Sequence, residues 1–421
     1  MEVKEGYKQT EVGVIPNDWE VKKLGDVADI TKLAGFEYTN YFNSYNDGGD
    51  IIVVRGTNIT NNDLDLSDVR TIPRSTSNKL PRSKLHKDDL VFAYVGTIGP
   101  VYLIEEDDKY HLGPNTCKIS VKENMNPRFA FCYFTSRLIK KEIIEFTSIG
   151  AQPSLSMSKI RKFKIILPPT KAEQTTIANA LSDADALISN LEKLIAKKRN
   201  IKEGVMQELL TGNKRLPGFS GKWQKLNMAD NSVLKARIGW QGLTTAEYLK
   251  SGDYYLVTGT DFLDGRVNWS SCCFVDENRY MQDKNIQLKV GDILLTKDGT
   301  IGKVGYVDTL PGPATLNSGV FVIRPKNNAY DPLFFYYILM SSIFNNFLVK
   351  LQAGSTISHL YQKDFVSFSF STPKIEEQTA IAQVLSDMDT EIEALEQKLA
   401  KYRLLKQGMM QELLTGKTRL V

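Results

Sequence analysis

The sequence predicts an α+β chain of two tandem α/β domains, each followed by a long helix, the two helices pairing as an antiparallel coiled coil. Three observations predict it: an internal repeat of long period, a heptad stripe inside each copy, and short strand-like runs with one helical segment upstream of each stripe.

An internal repeat organises the chain. Glu173-Gln174-Thr175 returns as Glu377-Gln378-Thr379, 204 positions on, and Leu181-Ser182-Asp183 returns as Leu385-Ser386-Asp387. Met206-Gln207-Glu208-Leu209-Leu210-Thr211-Gly212 returns at the same offset as Met410-Gln411-Glu412-Leu413-Leu414-Thr415-Gly416. About six positions in ten match between these ends, without a gap. The duplication reaches upstream more faintly, where Gly96-Thr97-Ile98-Gly99 answers Gly299-Thr300-Ile301-Gly302 and Gly56-Thr57-Asn58 answers Gly259-Thr260-Asp261. Trp19 and Trp223 begin the two copies in comparable places. A period this long means a duplicated domain, since solenoid units run about 20 to 50 residues. The 421 residues suit two domains of ordinary size.

In the first copy Ile177, Leu181, Ala184, Ile188, Leu191, Ile195, Lys198, Lys202, Val205 and Leu209 step by alternating fours and threes, the seam of a heptad helix. Ile381, Leu385, Met388, Ile392, Leu395, Leu399, Tyr402, Lys406, Met409 and Leu413 repeat it. Thr170 with Glu173 offers a capping box, while Gly212 and Gly416 suit helix exits. Each helix is expected to run about 40 residues, roughly 60 Å, too long for one domain of this size to cover. The matching stripe is the other helix, and the chain must double back to present it. The pairing residues are expected to be Ile177, Leu181, Ile188, Leu191, Ile195, Ile381, Leu385, Ile392, Leu395 and Leu399. The boundaries are then 1–169 and 213–373 for the α/β domains, 170–212 and 374–416 for the helices, and 417–421 for a tail.

Within the variable domains, residues 51–54, 90–95, 292–295 and 163–167 read as strands. Asn126-Pro127 and Asp331-Pro332 each place an N-cap residue before a proline at the first helical position. The paired Gly-Thr-Ile-Gly segments read as tight turns, where glycine admits positive φ, rather than as phosphate nests.

The formal charge of +4 permits nucleic-acid binding without demanding it. One stretch of the first domain is concentrated: Arg70, Arg74, Lys79, Arg82, Lys84 and Lys87, with no acidic residue between them, interleaved with serine, threonine and asparagine. Such a surface neutralises phosphates and adds hydrogen bonds to them. The second domain lacks an equivalent, so Arg237, Trp240, Gln241 and Lys297 are its candidates, and the two domains are expected to read different sequences. Polar loops before each long helix add Gln152, Ser154, Thr356, Ser358 and His359, whose groups suit base edges.

Catalytic patterns are missing. Lys417-Thr418 after Gly416 imitates the end of a phosphate-binding loop, but Gln411 stands where its first glycine belongs. The cysteines Cys117, Cys132, Cys272 and Cys273 have no metal-ligand spacing, and no histidine sits in triad spacing. No metal, bound cofactor or catalytic residue is therefore expected on this chain. Neither a leader nor a membrane helix is apparent, which predicts a cytoplasmic protein.

The doubled pattern of Glu-Gln at the helix start, Leu-Ser-Asp inside it and Gln-Glu-Leu-Leu-Thr-Gly at its exit resembles the specificity subunits of type I restriction-modification systems. The resemblance covers nearly the whole chain. It implies that each variable domain is a target recognition domain for one half of a bipartite, asymmetric double-stranded DNA site. It also implies two methyltransferase subunits on the helices, restriction and translocase subunits completing the enzyme, and S-adenosylmethionine, ATP and Mg on those partners. The rival readings are a non-catalytic coiled-coil scaffold and the specificity module of another class of restriction enzyme.

Overall fold

The computed structural model describes residues 4–41, 48–147, 153–352 and 359–420. It divides into two compact units, one of Met1–Glu192 with Gln397–Val421 and one of Lys193–Glu396. Glu192 and Glu396, where the division falls, are equivalent positions of the repeat. Each unit is thus an α/β domain with the first half of the helix that follows it and the last half of the other helix. These helices are α1 (Lys171–Thr211, 41 residues) and α2 (Ile375–Leu413, 39 residues).

The first unit holds an antiparallel four-stranded sheet in the order Val101–Leu103, Leu90–Ala93, Thr116–Val121, Ala28–Lys32. A smaller sheet sets Ile51–Val54 between parallel Tyr110–Leu112 and antiparallel Arg70–Ile72. Strand Glu20–Lys23 pairs with Lys164–Leu167 and so closes the domain just before α1. The second unit repeats the plan with a six-stranded sheet ordered Ser232–Ala236, Val320–Pro325, Ile293–Thr296, Val304–Tyr306, Arg266–Val267, Phe262–Leu263. Its smaller sheet is Cys273–Val275, Tyr254–Val257, Ala314–Leu316, and Gln224–Asn227 with Ser369–Thr372 closes it. The expected strands are present, shifted by a residue or two at their ends.

The largest core cluster of each unit draws on both long helices. Ile177 and Leu181 from α1, with Leu413 and Leu414 at the far end of α2, are buried among Trp19, Phe129 and Ile165. Met206, Leu209 and Leu210 from α1, with Ile381 and Leu385 from α2, are buried among Phe334, Phe335 and Phe370. Each such side chain contributes about 1.5–3 kcal/mol when fully buried, so these anchors outweigh the exposed ion pairs described next. Of the remaining seam positions, Leu191, Ile195, Ile392 and Leu399 are buried, while Ile188 and Leu395 are half-buried.

Ion pairs show the antiparallel direction within each unit. In the first, Lys406 binds Asp185 and Arg403 binds Glu192 at 2.6 Å. In the second, Lys202 binds Asp389 and Arg199 binds Glu396, the same pairs displaced by one repeat. Lys198 adds a pair with Glu391 at 2.6 Å that has no twin, because Tyr402 and Leu187 stand at the equivalent positions.

The repeated Glu-Gln-Thr has a structural role. Gln174 accepts from the Asn126 backbone N–H at 2.7 Å and donates to the Pro168 carbonyl at 3.2 Å. Gln378 accepts from the Asp331 N–H and donates to the Pro373 carbonyl, both at 2.9 Å. Both amides are fully buried and tie the long helix to the short one that begins at Pro127 or Pro332. The expected capping box at Thr170 is half made. The Glu173 N–H reaches Thr170 Oγ1 at 3.2 Å, but the Glu173 carboxylate turns instead to Arg419.

Candidate nucleic-acid interface

Two repeated motifs that read only as turns meet at one cleft. In the first unit a cavity of about 420 Å³ is lined by Arg55, Gly56, Thr57, Val95, Gly96, Thr97, Pro114 and Asn115. Three connections build it: the turn after strand Ile51–Val54, the hairpin turn after Leu90–Ala93, and the segment before Thr116–Val121. A Cβ on Gly113 would lie 2.5 Å from the Val54 carbonyl oxygen, so only glycine lets the third connection pass. Gly96 sits at φ +77, and its N–H donates to the Pro153 carbonyl at 3.1 Å. That bond, with the Val95–Ser154 bridge, brings the loop before α1 against the same turn.

Buried Asn58 holds the first connection by donating to the Asp65 and Asp68 carbonyls at 3.1 and 2.8 Å. It accepts from Arg55 Nε at 3.0 Å, and Arg55 also pairs with Asp68 at 3.2 Å. Thr57, Thr97 and Asn115 are left exposed on the rim. Among the described residues no carboxylate lines the cleft and one guanidinium borders it, so these residues offer donors and acceptors to base edges without repelling phosphate.

The second unit assembles the same connections from different side chains. The Asp261 carboxylate accepts from the Thr258 N–H and hydroxyl, both at 2.8 Å, closing the Gly259-Thr260 turn. Asp298, beside the hairpin turn, bridges to His359 and binds its Nδ1. Lys297 donates its N–H to Gly319 at 2.9 Å and lays its ammonium over the Phe321 ring, 5.4 Å from the centroid. Exposed Thr260 and Thr300 take the places of Thr57 and Thr97.

The sequence candidates scatter around these sites. Ser154, Lys297 and His359 belong to the turn-and-loop clusters just described. Arg74, Lys79 and Arg82 are exposed on the short helix Arg74–Asn78 and the loop beyond it, and Arg70 lies on strand Arg70–Ile72. None of these four lines the cleft. Lys84 pairs with Asp108 at 2.5 Å, so an acidic turn that follows later in the sequence offsets part of this basic stretch. Gln152, Thr356 and Ser358 lie outside the described residues. Trp240 falls in the turn Gly239–Gln241.

Arg237 requires a correction. It is 2% exposed, with Nε donating to the Leu316 carbonyl at 2.8 Å and Nη2 to Thr315 Oγ1 at 3.2 Å. Burial, reinforced by Arg279, pulls its pKa down. It braces the segment before Val320–Pro325 from beneath instead of presenting charge to a ligand. Gln241 is similarly withdrawn, at 6% exposure. The signal that marked the cleft was available in the sequence as the paired Gly-Thr turns. Periodicity shows that they repeat, but only the fold shows that they converge.

Two α/β units, each carrying the same set of polar turns at equivalent positions of the repeat, define a duplicated protein with one candidate site per unit. The family model for the type I restriction modification DNA specificity domain matches residues 16–201 and 241–401, and the chain belongs to that family as a specificity subunit with two target recognition domains. It is 25% identical over 433 residues to a putative type I restriction enzyme MjaX specificity subunit of Methanocaldococcus jannaschii, covering 99% of this chain and 97% of the relative. The MjaVIII specificity subunit of the same organism is 24% identical over 444 residues, covering 99% and 96%. Among solved structures, the type I S subunit from M. genitalium superposes with a TM-score of 0.61 at 15% identity, covering 98% of both chains. A chain from a structure of type I system assembly and conformational transition gives 0.58 at 16% identity, covering 96% and 99%.

Proposed function

We propose that each unit reads one half of a split double-stranded DNA target, and that the chain does so as a non-catalytic subunit. Two methyltransferase subunits bind the repeated helices, and restriction and translocase subunits join them. S-adenosylmethionine, ATP and Mg are supplied on those partners. The observation that supports this most is the repeated set of connections: the three that line the cleft of the first unit also meet in the second, with threonines at the same exposed places and different side chains, Asn58 and Asp261, holding the turns.

A net charge of +4 neutralises few phosphates, so the chain alone binds DNA weakly and the assembled complex binds tightly. Mobility-shift titrations with and without the methyltransferase subunits test this. Gain of both affinity and sequence preference on adding them is the expected result, and equal specificity without them overturns it. The protein acts in the cytoplasm, beside the DNA it reads, and no single described helix is long and apolar enough to cross a membrane.

A further inference from the structure

The two units differ at one place where the repeat predicts likeness. In the second unit the hairpin Phe262–Leu263 with Arg266–Val267 sends Arg266 between two tyrosines, its guanidinium 5.4 Å from the Tyr306 ring and 5.7 Å from the Tyr336 ring. Asp308 completes the site with an ion pair at 3.4 Å. The hairpin is seated there because Gly265 has no Cβ, which would lie 2.2 Å from the Tyr336 hydroxyl.

In the first unit the matching hairpin, Ile59–Thr60 with Asp63–Leu64, keeps the same register but carries Asp63 where the second has Arg266. Leu103, Phe131 and Glu105 stand for Tyr306, Tyr336 and Asp308. The place is an open cavity of about 510 Å³, lined by these four residues and by Ala178 and Ser182 of α1. Asp63, Asp88, Glu105 and Asp185 face it against two cations, Lys87 and Arg128. Asp185 is already held by Lys406, while among the described residues no ion pair holds Asp63, Asp88 or Glu105. Asp63 and Glu105 both act on Tyr102, whose phenol is pushed up to about 12 chiefly by burial and next by Glu105.

We propose that this cavity receives an arginine carried on a segment of the methyltransferase subunit, in the position that Arg266 fills from within the chain in the second unit. The partner assignment rests on the proposed function above. An aromatic and aliphatic wall with a free carboxylate at its mouth is a guanidinium site, and the internal copy shows it occupied by one. The carboxylates exclude nucleic acid. Because this place is open in the first unit and filled by Arg266 in the second, the two methyltransferase subunits dock non-equivalently.

The test uses the full chain and N-acetyl-arginine amide, followed by saturation-transfer NMR, with the neutral citrulline analogue as control. Saturable binding of the arginine probe is expected. It should fall at least fivefold in Asp63→Arg, which fills the cavity as Arg266 does, and in Glu105→Gln, and rise in Arg266→Ala as a second site opens. No saturable binding, or binding untouched by Asp63→Arg and Glu105→Gln, overturns the site. Association with the methyltransferase subunit should weaken at least tenfold in Asp63→Arg, and equal association overturns the partner. A wild-type chain that fails to bind methyltransferase at all contradicts the proposed function, while the arginine titration still decides the cavity.

Discussion

Arg419 grips Glu173 across 246 residues of sequence, with Nε and Nη2 donating to the two carboxylate oxygens at 2.7 and 2.8 Å. Arg215 grips Glu377 by the same two nitrogens, one repeat earlier. In the second unit the arginine follows α1 within one continuous stretch. In the first it belongs to the final residues of the chain, which also accept a hydrogen bond from Tyr7 at Gly416, 3.1 Å. Gly416 and Arg419 thus complete the domain to which Tyr7, Asp18 and Glu173 belong.

That clasp predicts a local effect. The Glu173 carboxylate is 4% exposed, so Arg419→Ala leaves a buried charge unpaired, at a cost of about 3 kcal/mol. Amide hydrogen exchange should quicken around Phe129–Phe134 and Lys164–Leu167 of the first unit and stay unchanged in the second. Uniform quickening, or none, contradicts the clasp.

A second prediction concerns pH. His111 is buried, with Nδ1 3.0 Å from Ser77 Oγ, and its pKa is lowered to about 4 by burial, then by Lys118 and Lys84. Unfolding returns it to about 6.5, so between these values the unfolded chain binds the proton and the folded one does not. The neutral ring therefore contributes stability that is complete above about pH 6.5 and lost as pH falls toward 4, roughly 3 kcal/mol in all. Denaturation midpoints of the first unit, followed against pH, should show this slope in the wild type and a shallower one in His111→Gln. Identical slopes would mean that other groups carry the acid sensitivity.

Much of this architecture is legible in the residues. The Glu-Gln-Thr repeat, the heptad seam and the Asn126-Pro127 and Asp331-Pro332 starts all act through local or periodic rules, and each forms where those rules place it. What lies beyond them is convergence. Gly56-Thr57 and Gly96-Thr97 are 40 residues apart in sequence, and nothing periodic brings them to one cleft. Arg237 failed as a candidate for a related reason: a cation's type is visible in sequence, but its burial beneath Leu316 depends on a strand 79 residues away. The offset of Lys84 by Asp108 is hidden in the same way.

The cleft and the basic stretch are separable by salt. Arg74, Lys79 and Arg82 replaced together by alanine should weaken binding of the assembled complex to all sequences and reduce the salt dependence by up to three phosphate contacts. Thr57, Thr97 and Asn115 replaced together should leave the salt slope alone and cost about 1–3 kcal/mol at each base pair that they read. Filter-binding isotherms at several salt concentrations, on target and random duplexes, distinguish the two. Exchange of these two behaviours would transfer base reading to the basic stretch.

If each unit reads its own half of one target, a genome-wide map of methylated bases will show both halves separately. Cells would carry the complete system with either the wild-type chain or the Thr57, Thr97 and Asn115 triple alanine variant. The wild type should yield two different short blocks separated by bases that are not read, and the variant should relax or change one block while the other stays identical. A single uninterrupted motif, or a variant that alters both blocks together, would contradict two independent readers on one chain.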